Sequence, residues 1–242
     1  MKFRRVGKHK MLVNTPDSMI SASRDRNEMF VARKCATYLE RLLRRYPLLG
    51  TEFVEIVMWL LGEDVQVLRK HIEGTEIGRK DEHQEDMDDC LEKMSKTQLN
   101  ACTQLARTLV RKRRAKFSYA GRSDVEKQFE RLGEMFSPTE QEKEFCYFHF
   151  IVSAWESPEN FFDNHLHCKG FAGRQHLKII LGISSRELSE ILNGKLSQIG
   201  IIEMTRWETS LNDDFIVLLQ KPGSQILASE FFHRLSGRSI PL

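Results

Sequence analysis

Hydrophobic residues recur at helical spacing through the first part of this chain, and the spacing predicts a series of helices. In the first of them, apolar residues lie mostly three to five positions apart, which places them on one helix face. These residues are Phe30, Cys35, Leu39, Leu42 and Leu43. Pro47 ends this helix soon afterwards. Two more helices are predicted, one over 51–61 that is apolar on nearly all sides and one over 63–72.

The longest periodic segment, 81–116, predicts one long helix with an ordered charge distribution. Its first turns contain Asp81, Glu82, Glu85, Asp86, Asp88 and Asp89, and its last turns contain Arg111, Lys112, Arg113, Arg114 and Lys116. Acid at the start and base at the end complement the helix dipole. This order favours a solvated helix end. The alternative is that the basic run binds nucleic acid or an acidic partner.

The second half of the chain opens with two predicted helix starts. Ser123 and Glu126 have the spacing of a capping box and begin a short helix. Ser137 is predicted to cap the next helix, with Pro138 at the first helical position and Glu140 three residues after the cap. This second helix carries several aromatic residues, so we expect it to lie in the core.

The last hundred residues have the element order of a winged helix. A helix predicted to end at Leu181 stops at Gly182, and Ser184 and Glu187 form a capping box for the next helix. A further helical turn follows at 195–199. The apolar stretches 201–207 and 215–219 then predict a two-stranded hairpin.

The complete pattern predicts a mostly α-helical protein, in which an N-terminal helical bundle is followed by a winged-helix-like module with a two-stranded β-hairpin. The predicted organisation is a flexible basic arm over 1–25, a helical domain over 26–122, and a helical plus winged-helix-like domain over 123–242. The last of these holds a further helix from Ser224 to Gly237 and ends in an expected linker.

The composition is that of a globular protein, with 40% hydrophobic and 29% charged residues. The net charge of +3 is too small to argue nucleic-acid binding from the overall field, so only a local patch could support it. The five cysteines are odd in number and show no paired C-x-x-C spacing. Reduced thiols and a cytoplasmic location are therefore expected. No apolar run approaches the ~18 residues of a membrane span.

Histidine and cysteine cluster in one region, which raises the question of a metal site. The residues are Cys146, His149, His165, His167 and Cys168. Cys146 and His149 lie at i and i+3 of one predicted helix, so their side chains could converge. The His-x-His-Cys run lacks the paired spacing of zinc sites, however, and buried thiols with hydrogen-bonded histidines explain the same residues. We therefore expect no metal site.

The winged-helix pattern identifies the second helix of the module as the recognition helix if the module binds DNA. This helix offers Arg186 and Asn193, but also Glu187 and Glu190. The predicted hairpin holds one cation, Arg206, against four acidic residues, a net charge of −3. An acidic wing repels phosphate. Packing against a protein partner or another domain is therefore the preferred interpretation.

The sequence carries none of the common catalytic or nucleotide-binding motifs. The patterns G-x-x-x-x-G-K-[ST], G-x-G-x-x-G, H-E-x-x-H and G-x-S-x-G are all absent. We predict no catalytic residue and no cofactor in this chain. The remaining alternative, a small enzyme with an unrecognised site, requires a pocket with converging titratable groups.

Four segments in the C-terminal part carry a family resemblance: CYFHFIVSAWESPENFFDNHL, LGISSRELSEILNGKLSQIGIIE, LNDDFIVLLQKPG and FFHRLSGRSIPL. They lie within a stretch of about 138–242 that resembles the region ahead of the ATPase core in a group of bacterial AAA-family ATPases. In that group, a helical region and a winged-helix-like segment precede a linker into the nucleotide-binding core. The corresponding positions here are 182–184 opening a helix, 195–196 and 200–202 entering the wing, and Leu211 and Asp214 before the second strand.

The resemblance implies that the chain is a non-catalytic regulatory or substrate-engaging region of a longer ATPase. ATP and Mg²⁺ would bind in a downstream core, because no position here matches the phosphate-binding loop or the metal-binding strand of that core. The implied partners are a protein client or the ATPase core itself, with oligomerisation through the core and no membrane contact. The alternative function is a winged-helix DNA-binding transcriptional regulator. The candidate partner-binding residues are Arg111, Lys112, Arg113, Arg114, Arg186 and Asn193.

Overall fold

The computed structural model describes residues 26–48, 50–73, 87–117, 122–206 and 208–220. Within these ranges the chain is mostly helical and has one two-stranded antiparallel sheet. The predicted fold class, helices with a two-stranded hairpin, is thereby confirmed. The predicted basic arm over 1–25, the predicted helix from Ser224 to Gly237 and the predicted linker lie outside the described residues.

The first part of the described chain consists of helices joined by short connections. They are α1 (Arg26–Leu42), α2 (Thr51–Leu61), a 3₁₀ turn (Gly62–Asp64), α3 (Val65–Glu73), α4 (Met87–Glu92) and α5 (Lys96–Phe117). The helices predicted over 51–61 and 63–72 are confirmed. The 3₁₀ turn links α2 directly to α3.

The second part contains further helices and the hairpin. The helices are α6 (Asp124–Phe136), α7 (Glu140–Ala154), α8 (Glu156–Pro158), a π-helix (Glu159–His165), α9 (Arg174–Leu181), α10 (Ser185–Leu192), α11 (Lys195–Gln198) and α12 (Asp213–Gln220). The strands are β1 (Ile202–Met204) and β2 (Thr209–Leu211), with Ile202 opposite Leu211. An isolated bridge pairs Gly170 with Glu208, so the loop after the π-helix adds a short third edge beside β2.

Helix α1 packs against α5, α9, α2 and α6. Its residues Val31 and Leu39 are fully buried. The Tyr38 ring lies 5.6 Å from the Phe148 ring on α7 and 6.0 Å from the Phe162 ring on the π-helix, measured between ring centroids. Through these contacts the buried hydrophobic residues before and after the predicted domain boundary form one cluster. The boundary itself stays a prediction.

The prediction of a single helix over 81–116 is wrong, because the helical structure is interrupted between two helices within this stretch. Helix α4 ends at Glu92 and α5 begins at Lys96, so Asp88 and Asp89 belong to a different helix from the basic residues within 111–116. The Ser95 backbone N–H donates to Oε1 of Gln98 at 3.0 Å, and the Gln98 backbone N–H donates to Oγ of Ser95 at 3.4 Å. This reciprocal pair is a helix start, and it overrides the apolar periodicity that runs through it. The acidic residues 81–86 lie outside the described residues.

The predicted N-cap of α7 is also wrong. Thr139, and not Ser137, caps α7, because Oγ1 of Thr139 accepts from the Glu142 backbone N–H at 3.2 Å and Glu142 accepts from the Thr139 backbone N–H at 2.8 Å. Ser137 instead ends α6 in the left-handed conformation, with φ of 50°. The capping boxes predicted at Ser123 and Ser184 are confirmed.

The strand predicted over 215–219 is a helix, α12, and the hairpin is formed earlier in the chain by β1 and β2. The cause is Asn212, whose Oδ1 accepts from the backbone N–H groups of Asp214 at 3.0 Å and Phe215 at 3.3 Å. These bonds satisfy the first free donors of a helix. Phe215 and Leu219, four residues apart, are then buried on the same side.

The predicted end of α9 is confirmed in its residue and its mechanism. Gly182 has φ of 71°, a conformation that is unfavourable for residues with a Cβ atom. The Ile183 backbone N–H donates to the Lys178 carbonyl at 3.0 Å, and the Gly182 N–H donates to the Ile179 carbonyl at 3.2 Å. This pair of bonds is a Schellman motif, which closes the last turn.

Candidate interaction surface

Helix α5 combines a buried apolar face with an exposed face that contains no acid. Its buried residues include Leu99, Cys102, Ala106 and Val110, which face α1, α2 and α3. The exposed residues are Lys96, Thr97, Asn100, Ala101, Gln104, Thr108, Arg111, Lys112, Ala115 and Lys116. No Asp or Glu occurs anywhere in the sequence of this helix. The solvent-facing side is therefore free of acid, and apart from Lys96 its exposed cations lie in the last two turns of the helix.

Glu40 of α1 anchors two arginines at the edge of this face. Its side chain is only 4% exposed, and it lies 2.8 Å from Nη2 of Arg44 and 2.8 Å from Nη1 of Arg114. A buried carboxylate is costly unless it is paired. Arg44 donates a hydrogen bond to Oε1, whereas the contact of Arg114 with Oε2 is an ion pair without hydrogen-bond geometry. The pairing also fixes the positions of both arginines.

Asp64 has the same role on the other side of α5. Its carboxylate lies 3.0 Å from Nζ of Lys116 and 3.9 Å from Nη1 of Arg113. The Arg113 guanidinium also lies 5.0 Å from the centroid of the Phe117 ring. Arg113 is thus committed to contacts within the fold, and Asp64 compensates only one of its two cations.

We call Arg44, Arg107, Arg111, Lys112 and Arg114 the basic face. Arg107, Arg111 and Arg114 lie at i, i+4 and i+7 of α5, a spacing that aligns them along one side of a helix. Arg107, Arg111 and Lys112 form no ion pair with any carboxylate of the described residues. The basic face is therefore positive even after its internal ion pairs are taken into account.

The sequence identified part of this surface. Arg111, Lys112 and Arg114 belong to the basic face, whereas Arg113 faces inwards. Arg107 was not among the predicted residues, although its spacing of four residues from Arg111 places it on the same side of the helix. Nothing in the sequence indicated that Arg44 would lie near Arg114. The two arginines are brought together by Glu40, which is four residues from Arg44 but far from Arg114 in the sequence.

Arg186 and Asn193, the two candidates on α10, are not brought to the basic face. Helix α10 packs on α7 and α11. Nε of Arg186 donates to Oε1 of Glu190 at 2.8 Å, and Nδ2 of Asn193 donates to the Ser189 carbonyl at 2.8 Å. Both side chains are exposed, but both are bonded within their own helix.

The histidines and cysteines considered for metal binding are distributed between the core and the surface. Cys146, His149 and Cys168 are buried, and His165 and His167 are exposed. The described residues include no group of three or more His, Cys, Asp or Glu side chains that could hold a metal ion. His165 instead lies 3.5 Å from a carboxylate oxygen of Glu52.

His149 is unusual among these residues because it is a buried histidine without a hydrogen bond to either ring nitrogen in the described part of the chain. It is fully buried on α7, and its ring centroid lies 4.3 Å from that of Phe145. Burial, with a smaller contribution from the Lys169 charge, lowers the pKa of His149 to about 3. The imidazole is therefore neutral at physiological pH and packs as a hydrophobic ring.

A shallow pocket lies between α6, α7, α11 and α12, with about 280 Å³ of space that is partly open to solvent. Its walls include Phe129, Phe136, Leu196 and Phe215. Lys143 is the charged residue in the wall, and it pairs with Glu140 at 2.6 Å. The pocket therefore lacks the converging titratable groups that catalysis requires.

None of the helices in the described ranges combines the length and the apolar character needed to cross a bilayer. Comparison of the chain with protein-family models, with curated proteins and with solved structures finds no match. Within the described ranges, the basic face brings together four arginines and one lysine.

Proposed function

We propose that this chain is a non-catalytic, partner-engaging region of an AAA-family ATPase, and that it engages its partner through the basic face. The observation that carries the binding role is the arrangement around Glu40. A carboxylate that is 4% exposed holds Arg44 and Arg114 in place, next to the exposed Arg111 and Lys112. Side chains that are already ordered lose less entropy when a ligand binds.

The assignment to an ATPase is supported by the resemblance over 138–242 and by the order of elements there. Helices α9, α10 and α11 are followed by the β1–β2 hairpin, the sequence of elements expected of a winged-helix-like module. The hairpin is shorter than the predicted one, and α12 follows where the second strand was expected. We therefore describe α9–β2 as winged-helix-like on the basis of element order.

The fold offers a direct route from the basic face towards the C-terminal elements. Helix α5 packs on α1, and α1 packs on α9. Nη1 of Arg41 on α1 donates to the Ile180 carbonyl in the last turn of α9. A partner on the basic face thus acts on a helix that is bonded to the winged-helix-like module. In the proposed mechanism, occupancy of the face changes ATP turnover in the core through this packing.

ATP and Mg²⁺ would act in the ATPase core, so the chain by itself should neither bind nor hydrolyse MgATP. Titration calorimetry with MgATP is expected to show no heat beyond dilution, and a phosphate-release assay no turnover. Measurable hydrolysis would contradict the proposal. The reading frame after the Leu242 codon is a second test. A downstream phosphate-binding glycine loop would support the ATPase assignment, and an immediate stop codon would count against it.

The alternative, a DNA-binding regulator that reads the major groove with α10, gains no support from a specific contact. Arg186 is held by Glu190 on its own helix. Glu203 of β1 accepts from Asn212 at 2.6 Å, and Glu208 lies beside β2, so the hairpin keeps an acidic character. Phosphate is repelled by such a surface.

A further inference from the structure

We propose that the basic face binds the phosphate backbone of duplex DNA without reading its sequence. This inference rests on the proposed function, because it names the chemistry of the partner that the same surface would engage. It differs from the winged-helix alternative, in which α10 and the hairpin contact DNA.

The composition of the exposed side of α5 favours phosphate over a protein surface. It consists of Lys, Arg, Thr, Asn, Gln and Ala. Arginine, lysine and neutral hydrogen-bonding side chains make most contacts to phosphate oxygens in protein–DNA complexes. Protein–protein interfaces have an apolar centre enriched in aromatic residues. The exposed side of α5 contains no large apolar residue, since Phe117 and the leucines of this helix lie on its other sides.

The cations of α5 are concentrated in its last three turns. The stretch from Arg107 to Arg114 spans about 10 Å at about 1.5 Å per residue, which is the reach of about three successive phosphates on one strand of B-DNA. Arg107, Arg111 and Arg114 follow one another along the helix at intervals of four and three residues. Arginine matches phosphate geometry well because its planar guanidinium can donate two parallel hydrogen bonds.

The residues on the exposed side of α5 favour the backbone of a duplex. One side of α5 is covered by α1, α2 and α3, so contact with DNA is made by its exposed side. That side carries no aromatic ring, and binding of single strands relies on base stacking against such rings. Its arginines and lysines suit phosphate oxygens, and phosphate contacts carry no sequence information directly. Contact along the duplex backbone, without base readout, is therefore the geometry that these residues favour.

The negative charges next to the basic face do not cancel it. Glu40 is buried and already paired with Arg44 and Arg114. Asp64 is paired with Lys116 and Arg113. Both carboxylates therefore hold the cations in position instead of presenting a negative surface to an incoming phosphate.

The inference can be tested with fluorescence anisotropy on a labelled DNA duplex of about 20 base pairs, roughly two helical turns. The test variant R107Q/R111Q/K112Q removes three cations without breaking an ion pair to Glu40 or Asp64. The matched control R122Q/K127Q/K143Q removes three cations that pair with Glu130, Asp124 and Glu140. Circular dichroism verifies that both fold. If the triple variant fails to fold, R111Q/K112Q replaces it, since both residues are exposed.

The wild type is expected to bind duplexes of unrelated sequence equally at low salt. At about 50 mM salt, the test variant should bind at least about tenfold more weakly. The negative slope of log affinity against log salt should decrease in magnitude by about 2–3. The control variant should retain the larger part of the wild-type affinity and a slope steeper than that of the test variant.

Equal affinity of test and control variants would overturn the inference, as would the absence of wild-type binding at low salt. If R186Q/N193A lost DNA binding and the test variant kept it, the DNA contact would lie on α10, and the inference would also be overturned. A parallel titration with poly-glutamate separates the two proposals. Binding of the polypeptide but not of DNA rejects the DNA inference and leaves the partner-engaging role in place.

Discussion

Arg114 of α5 and Glu40 of α1 are joined by a contact of 2.8 Å between Nη1 and Oε2, and Arg44 binds the other oxygen of the same carboxylate. This contact connects the end of α1 with the basic end of α5. The Glu40 side chain is almost entirely excluded from water, so both arginines compensate for the loss of its hydration. The same three residues stabilise the fold and organise the basic face.

Replacement of Glu40 should therefore destabilise the protein. In Glu40→Gln, the two arginines lose their counter-ion, and a neutral amide takes a buried position. We expect a loss of about 1–3 kcal/mol in the free energy of unfolding, reduced from the full cost of a buried pair because both arginines are partly exposed. Urea denaturation measures this change. Glu130→Gln, which breaks the exposed pair with Arg122, should change stability by less than about 0.5 kcal/mol. Equal effects would contradict the role of Glu40.

The start of α7 gives a second prediction. Thr139→Ala removes the hydroxyl that accepts from the Glu142 backbone N–H, which should cost about 1 kcal/mol. Ser137→Gly places glycine at a left-handed position and should be neutral or slightly stabilising. Thermal denaturation of both variants shows which of them loses more stability. A larger loss of stability in Ser137→Gly than in Thr139→Ala would contradict Thr139 as the N-cap and favour Ser137.

Gly182 should resist substitution for two separable reasons. A Cβ atom at this position would be in a left-handed conformation, and it would lie 3.1 Å from Cζ of Arg41. Gly200 has the same strain, with φ of 78°, but an added Cβ atom there meets no atom within 4 Å. We expect Gly200→Ala to cost about 1–2 kcal/mol and Gly182→Ala to cost more. Urea denaturation of the two variants isolates the contribution of the contact with Arg41.

His149 should make stability depend on pH. Burial lowers its pKa from 6.5 to about 3 in the folded protein, so between these values the unfolded chain binds more protons at this site. Stability is therefore fully present above about pH 6.5 and is lost as the pH falls towards 3, by up to about 1.4 kcal/mol per pH unit. His149→Phe should show a shallower decline over this range. Denaturation curves at several pH values compare the two, and identical slopes would exclude His149 as the cause.

The cysteines should be unreactive while the protein is folded. All five are buried, and burial raises the pKa of Cys102, Cys146 and Cys168. Because the thiolate is the reactive form, a thiol-specific reagent at mildly alkaline pH should modify them slowly. Rapid modification of all five is expected in denaturant. A cysteine that reacts at the same rate in both conditions would not be buried in solution.

Helix starts show how far the sequence determined the fold. Ser123 and Ser184 were predicted correctly, because each has a glutamate three positions later and an amphipathic helix after it. At α7 two overlapping patterns compete, since Ser137 precedes Glu140 and Thr139 precedes Glu142 by three residues. Helix α6 extends to Phe136, and Ser137 is needed to end it. Only the packing of α6 decides between the two patterns.

The secondary structure of the segment 215–219 could not be decided from its own residues. Its apolar residues fit a buried strand or one side of a short helix equally well. The decision is made by Asn212, whose side chain caps the helix. The basic face could also be predicted only in part from the sequence. The cations of α5 are visible in the sequence, but the carboxylates that order them come from α1 and the 3₁₀ turn.

The hairpin is joined to the body of the protein at its second strand. The Thr209 backbone N–H donates to the Lys169 carbonyl at 2.8 Å, and Lys169 in turn pairs with Asp163 of the π-helix at 2.9 Å. A mechanical load applied to the hairpin would therefore be transmitted to the π-helix through Lys169 and Asp163, as well as through the strand ends.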